Sequence, residues 1–372
     1  MEMKNVAIIG GGLAGLVAAI DLAKRGVPCT VFERKRYPFH RVCGEYISNE
    51  VIPYLQSLDA FPEVFSPPRF TRFQLTSVNG ALAEIPLDLG GFGVSRSSFD
   101  SFLVERARAL GATVLDNTEV TSLSFHDNLF AVKTLERTHE AHIVLGSFGK
   151  RSRLDVTLAR PFIKKRSPYV GVKYHVRTDH PADVIALHNF KDGYCGISRI
   201  EDGKTNVCYL THRANVKKYG HLPEMEKAVL HRNPFLKRIF TESEFLFDKP
   251  EVINEITFET KEPVYNHVLM TGDAAGMITP LCGNGMAMAI HSAKVVSAHV
   301  HRFCTDLTYT REQLEADYSA QWNALFKKRL WAGRQIQTLF GSEWASNVAV
   351  QLARHVKPVA HFLMKKTHGQ PF

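Results

Sequence analysis

The stretch 6–34 constrains this chain more than any other. It opens with the apolar run Val6-Ala7-Ile8-Ile9 and continues into Gly10-Gly11-Gly12-Leu13-Ala14-Gly15. An apolar helical segment follows, and then Thr30-Val31-Phe32-Glu33-Arg34. That order predicts a strand, a tight turn, a helix and a second, parallel strand. Gly10 lets the chain leave the strand, Gly12 lets backbone N–H groups approach a pyrophosphate, and Gly15 lets the helix pack close to the sheet. Leu13 and Ala14 open the helix, whose N-terminus faces the anion. Glu33 lies about 20 residues beyond the turn, where a carboxylate can hold ribose hydroxyls, with Arg34 beside it. The stretch reads as a dinucleotide-binding βαβ unit.

The 372 residues allow one large α/β domain and a second, smaller one. With 45% hydrophobic and 22% charged residues, the composition is that of a soluble globular enzyme. No basic-then-apolar leader and no apolar stretch of about 20 residues is read, so neither a signal peptide nor a membrane span is expected. The six cysteines form no CxxC pair, which argues against a zinc site and a disulfide framework and predicts a reducing, cytoplasmic setting.

The formal charge of +9 is spread along the chain. Its densest run, Lys327-Lys328-Arg329, falls among Tyr318, Trp322, Leu325, Phe326, Leu330, Trp331 and Ile336 at helical spacing. A core-packed helix with a basic outer side is the plain reading. The sharper one is a face that docks on an anionic membrane, as a peripheral contact, or on an acidic carrier protein. No aromatic-plus-basic module points to nucleic acid.

Strand and helix patterns divide the chain into three parts. Residues 1–68, 92–165 and 262–302 form a discontinuous dinucleotide domain. Residues 69–91 and 166–261 form a strand-rich insertion with a hairpin around Asn79-Gly80, and 303–372 form a helical region. Such an arrangement places a ligand cleft at the interface. Of Phe70, Phe73, Phe92, Tyr169, Tyr174, Phe190, Tyr194 and Tyr209, most suit plain sheet packing and a few would line it; His175 and His188 are candidate pocket acids or bases, with a satisfied structural histidine as the plainer reading.

A second motif runs from Thr271-Gly272-Asp273 to Pro280-Leu281-Cys282-Gly283-Asn284-Gly285. Here a strand delivers Asp273 to accept ribityl or ribose hydrogen bonds, and a glycine turn aims a helix N-terminus at one point, useful to a reduced flavin. The alternative reading is a helix cap and a plain turn.

Together, Gly10–Gly15, Glu33, Gly272-Asp273 and Pro280…Gly285 resemble the para-hydroxybenzoate hydroxylase-fold superfamily of FAD enzymes over roughly residues 1–300. The resemblance implies an α/β fold: a Rossmann-like FAD-binding domain of the GR2 type, interrupted by an antiparallel substrate sheet (itself α+β) and followed by a helical tail. It also implies that Arg96, in Val94-Ser95-Arg96…Phe99-Asp100, and Arg41 lie near the cofactor.

Arg41-Val42-Cys43-Gly44-Glu45-Tyr46 is similar to the geranylgeranyl reductase and flavoprotein dehydrogenase branch, where a Cys-Gly pair lies by the flavin. Cys43 is thereby a candidate proton donor, with Glu45 and Tyr46 as further acid/base candidates. Phe148 replaces the Asp of the monooxygenases' Asp-Gly pair, which argues against their manner of reduction by NADPH and leaves NAD(P)H a candidate electron donor only. The stretch Gly193–Arg199 lacks the Trp and Pro of the prenyl reductases, and no halogenase tryptophan motif is present. The reading is an FAD-dependent oxidoreductase that moves hydride through flavin N5 in C=C reduction or dehydrogenation of a hydrophobic isoprenoid, polyketide or aromatic substrate, free or carrier-bound. The alternatives are a monooxygenase acting through a C4a-hydroperoxide and a non-catalytic flavin-binding carrier or chaperone.

Overall fold

A computed structural model describes residues 4–339, 347, 348, 350–352, 354 and 369–372. The expected βαβ unit is its centre. Val6–Ile9 is buried at every position, which suits a parallel strand covered on both faces. It lies between Ile143–Gly146 and Cys29–Phe32, and the sheet runs on to Val268–Met270 on one side and Thr113–Leu115 on the other. All these pairs are parallel; an antiparallel edge strand, Val264–Tyr265, closes the sheet. Chain order reverses beside Val6–Ile9, so a crevice opens at the carboxyl ends of the central strands.

Helix Leu13–Lys24 buries Leu13 to Leu22 without a break. It is covered by helices Arg96–Ala109 and Gly285–Thr305. Ser95 starts the first of these by accepting a hydrogen bond from the Ser98 N–H.

The second sheet runs Glu244–Phe245, Tyr169–Arg177, Thr205–His212, Gly193–Arg199, Val184–Phe190, Arg69–Thr76, Leu82–Gly93 and Tyr46–Ser48, with Glu251–Ile253 also on Tyr169–Arg177. Its one parallel pair joins Val184–Phe190 to Arg69–Thr76. The hairpin expected around Asn79-Gly80 is present as Arg69–Thr76 and Leu82–Gly93. Tyr46–Ser48, three residues too short to show periodicity, adds the far edge by pairing with Gly91–Gly93. One sheet face is covered by the helices between Arg213 and Glu242, around Tyr209, Met225 and Leu236. The other faces the dinucleotide domain with Leu75, Leu187, Tyr194, Leu210 and Ile256, a cluster that also contains Val350.

Helix Arg311–Leu339 packs on Gly285–Thr305 through Tyr318, Trp322, Phe326 and Leu330. Two of the expected positions differ. Trp331 stands outside the packed stripe, 60% exposed beside Lys327 and Lys328, because it lies one residue past the inward Leu330. Arg329 turns inward instead, 3.6 Å from the buried carboxylate of Glu50. The 303–372 region beyond residue 339 lies, apart from the positions named above, outside the described residues. Among the described residues, no helix is long and apolar enough to cross a membrane.

Candidate active site

A cavity of about 760 Å³ runs from the glycine turn to the apolar face of the second sheet. At its near end, Gly10 has φ of 108°, and a Cβ there would stand 2.4 Å from the Ser147 carbonyl oxygen. A Cβ on Gly15 would stand 2.1 Å from the Gly10 carbonyl oxygen, so this glycine closes the helix onto the turn. Gly12 is different. Its φ of −93° suits any residue, and a Cβ would meet nothing nearer than Arg96 Nη2 at 3.5 Å. No side chain caps the helix that follows, so its first N–H groups open onto a space left by a side chain the protein itself could accommodate. Such a cradle fits a pyrophosphate.

Glu33 braces the turn. One carboxylate oxygen accepts from the Gly11 N–H at 3.0 Å and from Arg41 Nη2 at 2.9 Å, and the other accepts from the Lys35 N–H at 3.0 Å. Arg41 also donates to Asp100 at 3.1 Å, and Arg96 grips the same Asp100 through two bonds of 2.9 Å. Both arginines expected near a cofactor therefore border the turn, held in ion pairs. Arg34, exposed, lines the same end with Leu13 and Ala14.

Asp273 follows Val268–Met270 on a short 3₁₀ turn and lines the cavity. Burial raises its pKa, against the opposing pull of Lys261, Arg96 and Lys150. Gly272, Pro280, Gly283 and Gly285 also line the wall; Gly283 adopts φ of 62°, and a Cβ there would stand 3.3 Å from the Tyr46 ring. Two expected cofactor residues stand outside the wall. Gly15 is spent on helix packing, and the buried Asn284 turns its side chain to Glu50.

The loop 41–45 forms the middle of the cavity. Cys43 lines it, with Sγ 3.2 Å from Met286 Sδ, and burial pushes its thiol pKa up. Tyr46 is buried with its hydroxyl 3.5 Å from the Gly90 carbonyl, and burial likewise raises its pKa. Glu45 is fully buried. Burial opposes its charge, but Lys173 and His175 outweigh that and hold its pKa down to about 2. A carboxylate so held stores charge; it does not deliver a proton near neutrality.

Lys150 and Lys261 were not legible as site residues. Lys150 lines the cavity and Lys261 donates to the carbonyls of Lys150 and Asp273 at 2.7 Å; burial lowers both pKa values to about 8. In sequence, Lys150 lies two residues after Phe148 and Lys261 ten residues before Thr271. Phe148 lines the cavity at the position noted for the missing Asp. The far end is apolar, with Phe73, Leu75, Ile85, Leu187, Leu210 and Ile336. Of the two histidines considered, His175 belongs to the Glu45 cluster, while His188 is bonded to Thr76 and stacked on Phe235. No group of three or more His, Cys, Asp or Glu among the described residues is placed to hold a metal ion.

A glycine turn with room for an anion, the strand ends that carry Glu33 and Asp273, and an adjoining apolar chamber fit the class of flavoprotein oxidoreductases. The family model described as an FAD binding domain matches residues 3–300, and the chain belongs to that family. It is an FAD-dependent enzyme.

A digeranylgeranylglycerophospholipid reductase of Methanosarcina acetivorans is 24% identical over 340 residues, covering 86% of this chain and 81% of that protein. The chlorinase of a 1H-pyrrole-2-carbonyl peptidyl-carrier protein from Pseudomonas fluorescens is 24% identical over 356 residues, covering 80% and 75%. Among solved structures, the flavin-dependent halogenase CmlS matches with a TM-score of 0.78 at 21% identity, over 93% of this chain and 68% of its own. A flavoprotein/dehydrogenase from Cytophaga hutchinsonii gives 0.73 at 18%, over 98% and 96%. Reductases and halogenases share this fold, so the reaction is argued from the site residues.

Proposed function

We propose that this enzyme reduces a carbon–carbon double bond, or dehydrogenates the corresponding single bond, in a hydrophobic small molecule of isoprenoid, polyketide or aromatic type. Bound FAD would supply the two-electron hydride chemistry. Gly10–Ala14, Glu33, Arg34, Arg41, Arg96, Gly272, Asp273, Pro280, Gly283 and Gly285 would hold it. The observation that carries the reading is the place of Cys43, in the cavity wall between the anion-binding turn and the apolar chamber. Because burial raises its pKa, Cys43 stays a protonated thiol at neutral pH. It gives that proton to the carbon next to the one receiving hydride, and regains it from solvent after product leaves. In the dehydrogenating direction the thiol must first lose its proton to solvent, and the thiolate then takes the proton from the substrate carbon beside the one that gives up hydride. The apolar chamber binds the substrate and keeps water from the reacting carbons.

NAD(P)H is the proposed source of the electrons. The exposed Lys327, Lys328 and Trp331 support delivery of the substrate on an acidic carrier protein.

The test is anaerobic reduction of the FAD-loaded protein by NAD(P)H, followed by reoxidation with a panel of hydrophobic alkenes and then with air. Alkene-dependent reoxidation giving product with two added hydrogens supports the proposal. Reoxidation only by oxygen, giving an oxygenated product, overturns it in favour of a monooxygenase. No turnover with any acceptor would leave a flavin-binding carrier.

A further inference from the structure

The loop that carries Cys43 is gripped by one face of the second sheet. Strand register pairs His175 with Asn206 and Asn206 with Ser198, so the three form a row across neighbouring strands. Lys173 is two residues before His175 and shares its face. Together the four side chains hold four groups of the loop. Asn206 Nδ2 donates to the Cys43 carbonyl at 3.1 Å, and Ser198 Oγ to the Gly44 carbonyl at 2.8 Å. Lys173 Nζ donates to the Arg41 carbonyl at 3.2 Å and to Glu45 Oε1 at 2.5 Å. His175 Nε2 lies 2.7 Å from Glu45 Oε2.

From the opposite side, the Arg96 N–H donates to Glu45 Oε1 at 2.7 Å. Glu45 thus ties the loop both to the sheet and to the start of the helix whose first side chain borders Gly12. Both its oxygens are taken. It also adopts φ of 51°, a left-handed conformation that a residue with a side chain holds only where its surroundings impose it. Lys173, His175, Ser198 and Asn206 are all buried.

Packing alone would not call for this arrangement. A buried ion pair gives up hydration, and apolar residues of similar size would serve stability as well or better. What the polar row provides is direction: four side chains hold three loop carbonyls and one carboxylate, with Lys173 shared between the Arg41 carbonyl and Glu45.

We propose that Lys173, His175, Asn206 and Ser198 are positioning residues, with Glu45 as their keystone, that fix the 41–45 loop and present the Cys43 thiol at one point of the cavity. The chemical consequence rests on Cys43 being the proton donor; the mechanical claim does not. Glu45 is thereby reassigned from acid/base candidate to anchor.

The test uses the FAD-loaded full chain and reads alkylation of Cys43 by iodoacetamide, peptide by peptide in the mass spectrometer, between pH 7 and 10. Cys282, also in the cavity wall but on the Pro280–Cys282 turn outside the second sheet, is the internal reference. Lys173→Met alone strands a buried carboxylate and is expected to fold poorly, so the informative variant is Lys173→Met with Glu45→Gln, which removes both charges. It is expected to retain flavin and alkylate Cys43 at least tenfold faster than wild type, with an altered pH profile and little change at Cys282. Ser198→Ala, which removes one donor and no charge, is expected to give a smaller acceleration of the same kind. A wild-type Cys43 rate and pH profile in both variants overturns the proposal, as does equal acceleration at Cys43 and Cys282. If the double variant fails to fold, Ser198→Ala decides by the same readout. Loss of turnover plays no part, so failure of the reductase reading would show separately, as a Cys43→Ala enzyme that turns over normally.

Discussion

Gly12 and Arg96 face each other across the mouth of the glycine turn, 3.5 Å from the place a Gly12 Cβ would occupy to the guanidinium Nη2. That gap separates a glycine kept for a ligand from one kept for the fold. Gly12→Ala should change the stability of the cofactor-free protein by less than about 1 kcal/mol, the scale of an N-cap exchange. Flavin affinity should fall at least about tenfold, roughly 1.4 kcal/mol, because the methyl occupies the anion's approach. Gly15→Ala should instead destabilise the protein with or without flavin by roughly 1–3 kcal/mol, since its Cβ would lie 2.1 Å from the Gly10 carbonyl oxygen. Urea melts with and without FAD, together with flavin content, separate the two cases.

These two glycines were legible in the sequence because a turn is local: its residues specify one another over a few positions. The same holds for the hairpin at Asn79-Gly80 and for the strand leading into Asp273. The polar row beneath Cys43 was not legible, since Asn206 lies 163 residues from Cys43 and Ser198 lies 154 from Gly44. Which strand residues share a row is fixed by register, and nothing within either segment records its partner. Glu45 looked like an acid because a loop carboxylate beside a thiol has that chemistry; its role changes once Lys173 and His175 arrive from a distant strand. Asn284 sat in a convincing motif, but which way its side chain turned depended on Glu50, 234 positions earlier in the chain.

Acid should destabilise the protein through buried histidines. Burial holds His188 down to about 3 and His291 down to about 4, with Arg329 and Lys294 adding to the effect at His291. Between these values and the unfolded value near 6.5, the unfolded chain binds more protons than the folded one. Their contribution is therefore fully present above about pH 6.5 and is lost as pH falls toward 3. Glu45, held at about 2, acts in the same direction over a lower window, from about pH 4.5 downward. Urea midpoints should fall steadily below pH 6.5. His188→Gln should flatten that slope, by on the order of a few kcal/mol across the window.

Arg160 should be the most sensitive charge outside the cavity. It is completely buried and donates to Asp155 at 3.0 Å, to the Ala274 carbonyl at 2.9 Å and to the Glu262 carbonyl at 3.1 Å. The Ala274 contact holds the turn that carries Asp273. Arg160→Met strips the buried Asp155 of its ion-pair partner and leaves it the Ser152 N–H and the nearby charge of Lys261, at a cost of roughly 3 kcal/mol. Calorimetry should show the loss. Where the variant still folds, its flavin content should fall as well, because the Asp273 turn has lost its support.

Cys43 should affect turnover far more than cofactor binding. Its thiol borders the cavity beside Met286 and Arg96, but Arg96 stays held by its two bonds to Asp100, and the proposed pyrophosphate site rests on the glycine turn that Glu33 braces. Cys43→Ala should therefore keep flavin content and melting temperature near wild type. Alkene-dependent reoxidation of the reduced enzyme should slow by about 10²–10⁴-fold, the range of a positioned general acid. Cys43→Ser should recover little of that, since a hydroxyl holds its proton far more tightly than a thiol does. Stopped-flow absorbance of the reduced enzyme mixed anaerobically with substrate checks both. A Cys43→Ala enzyme with wild-type rates would remove the thiol from the chemistry and return it to packing against Met286, where a buried cysteine serves as a small apolar side chain.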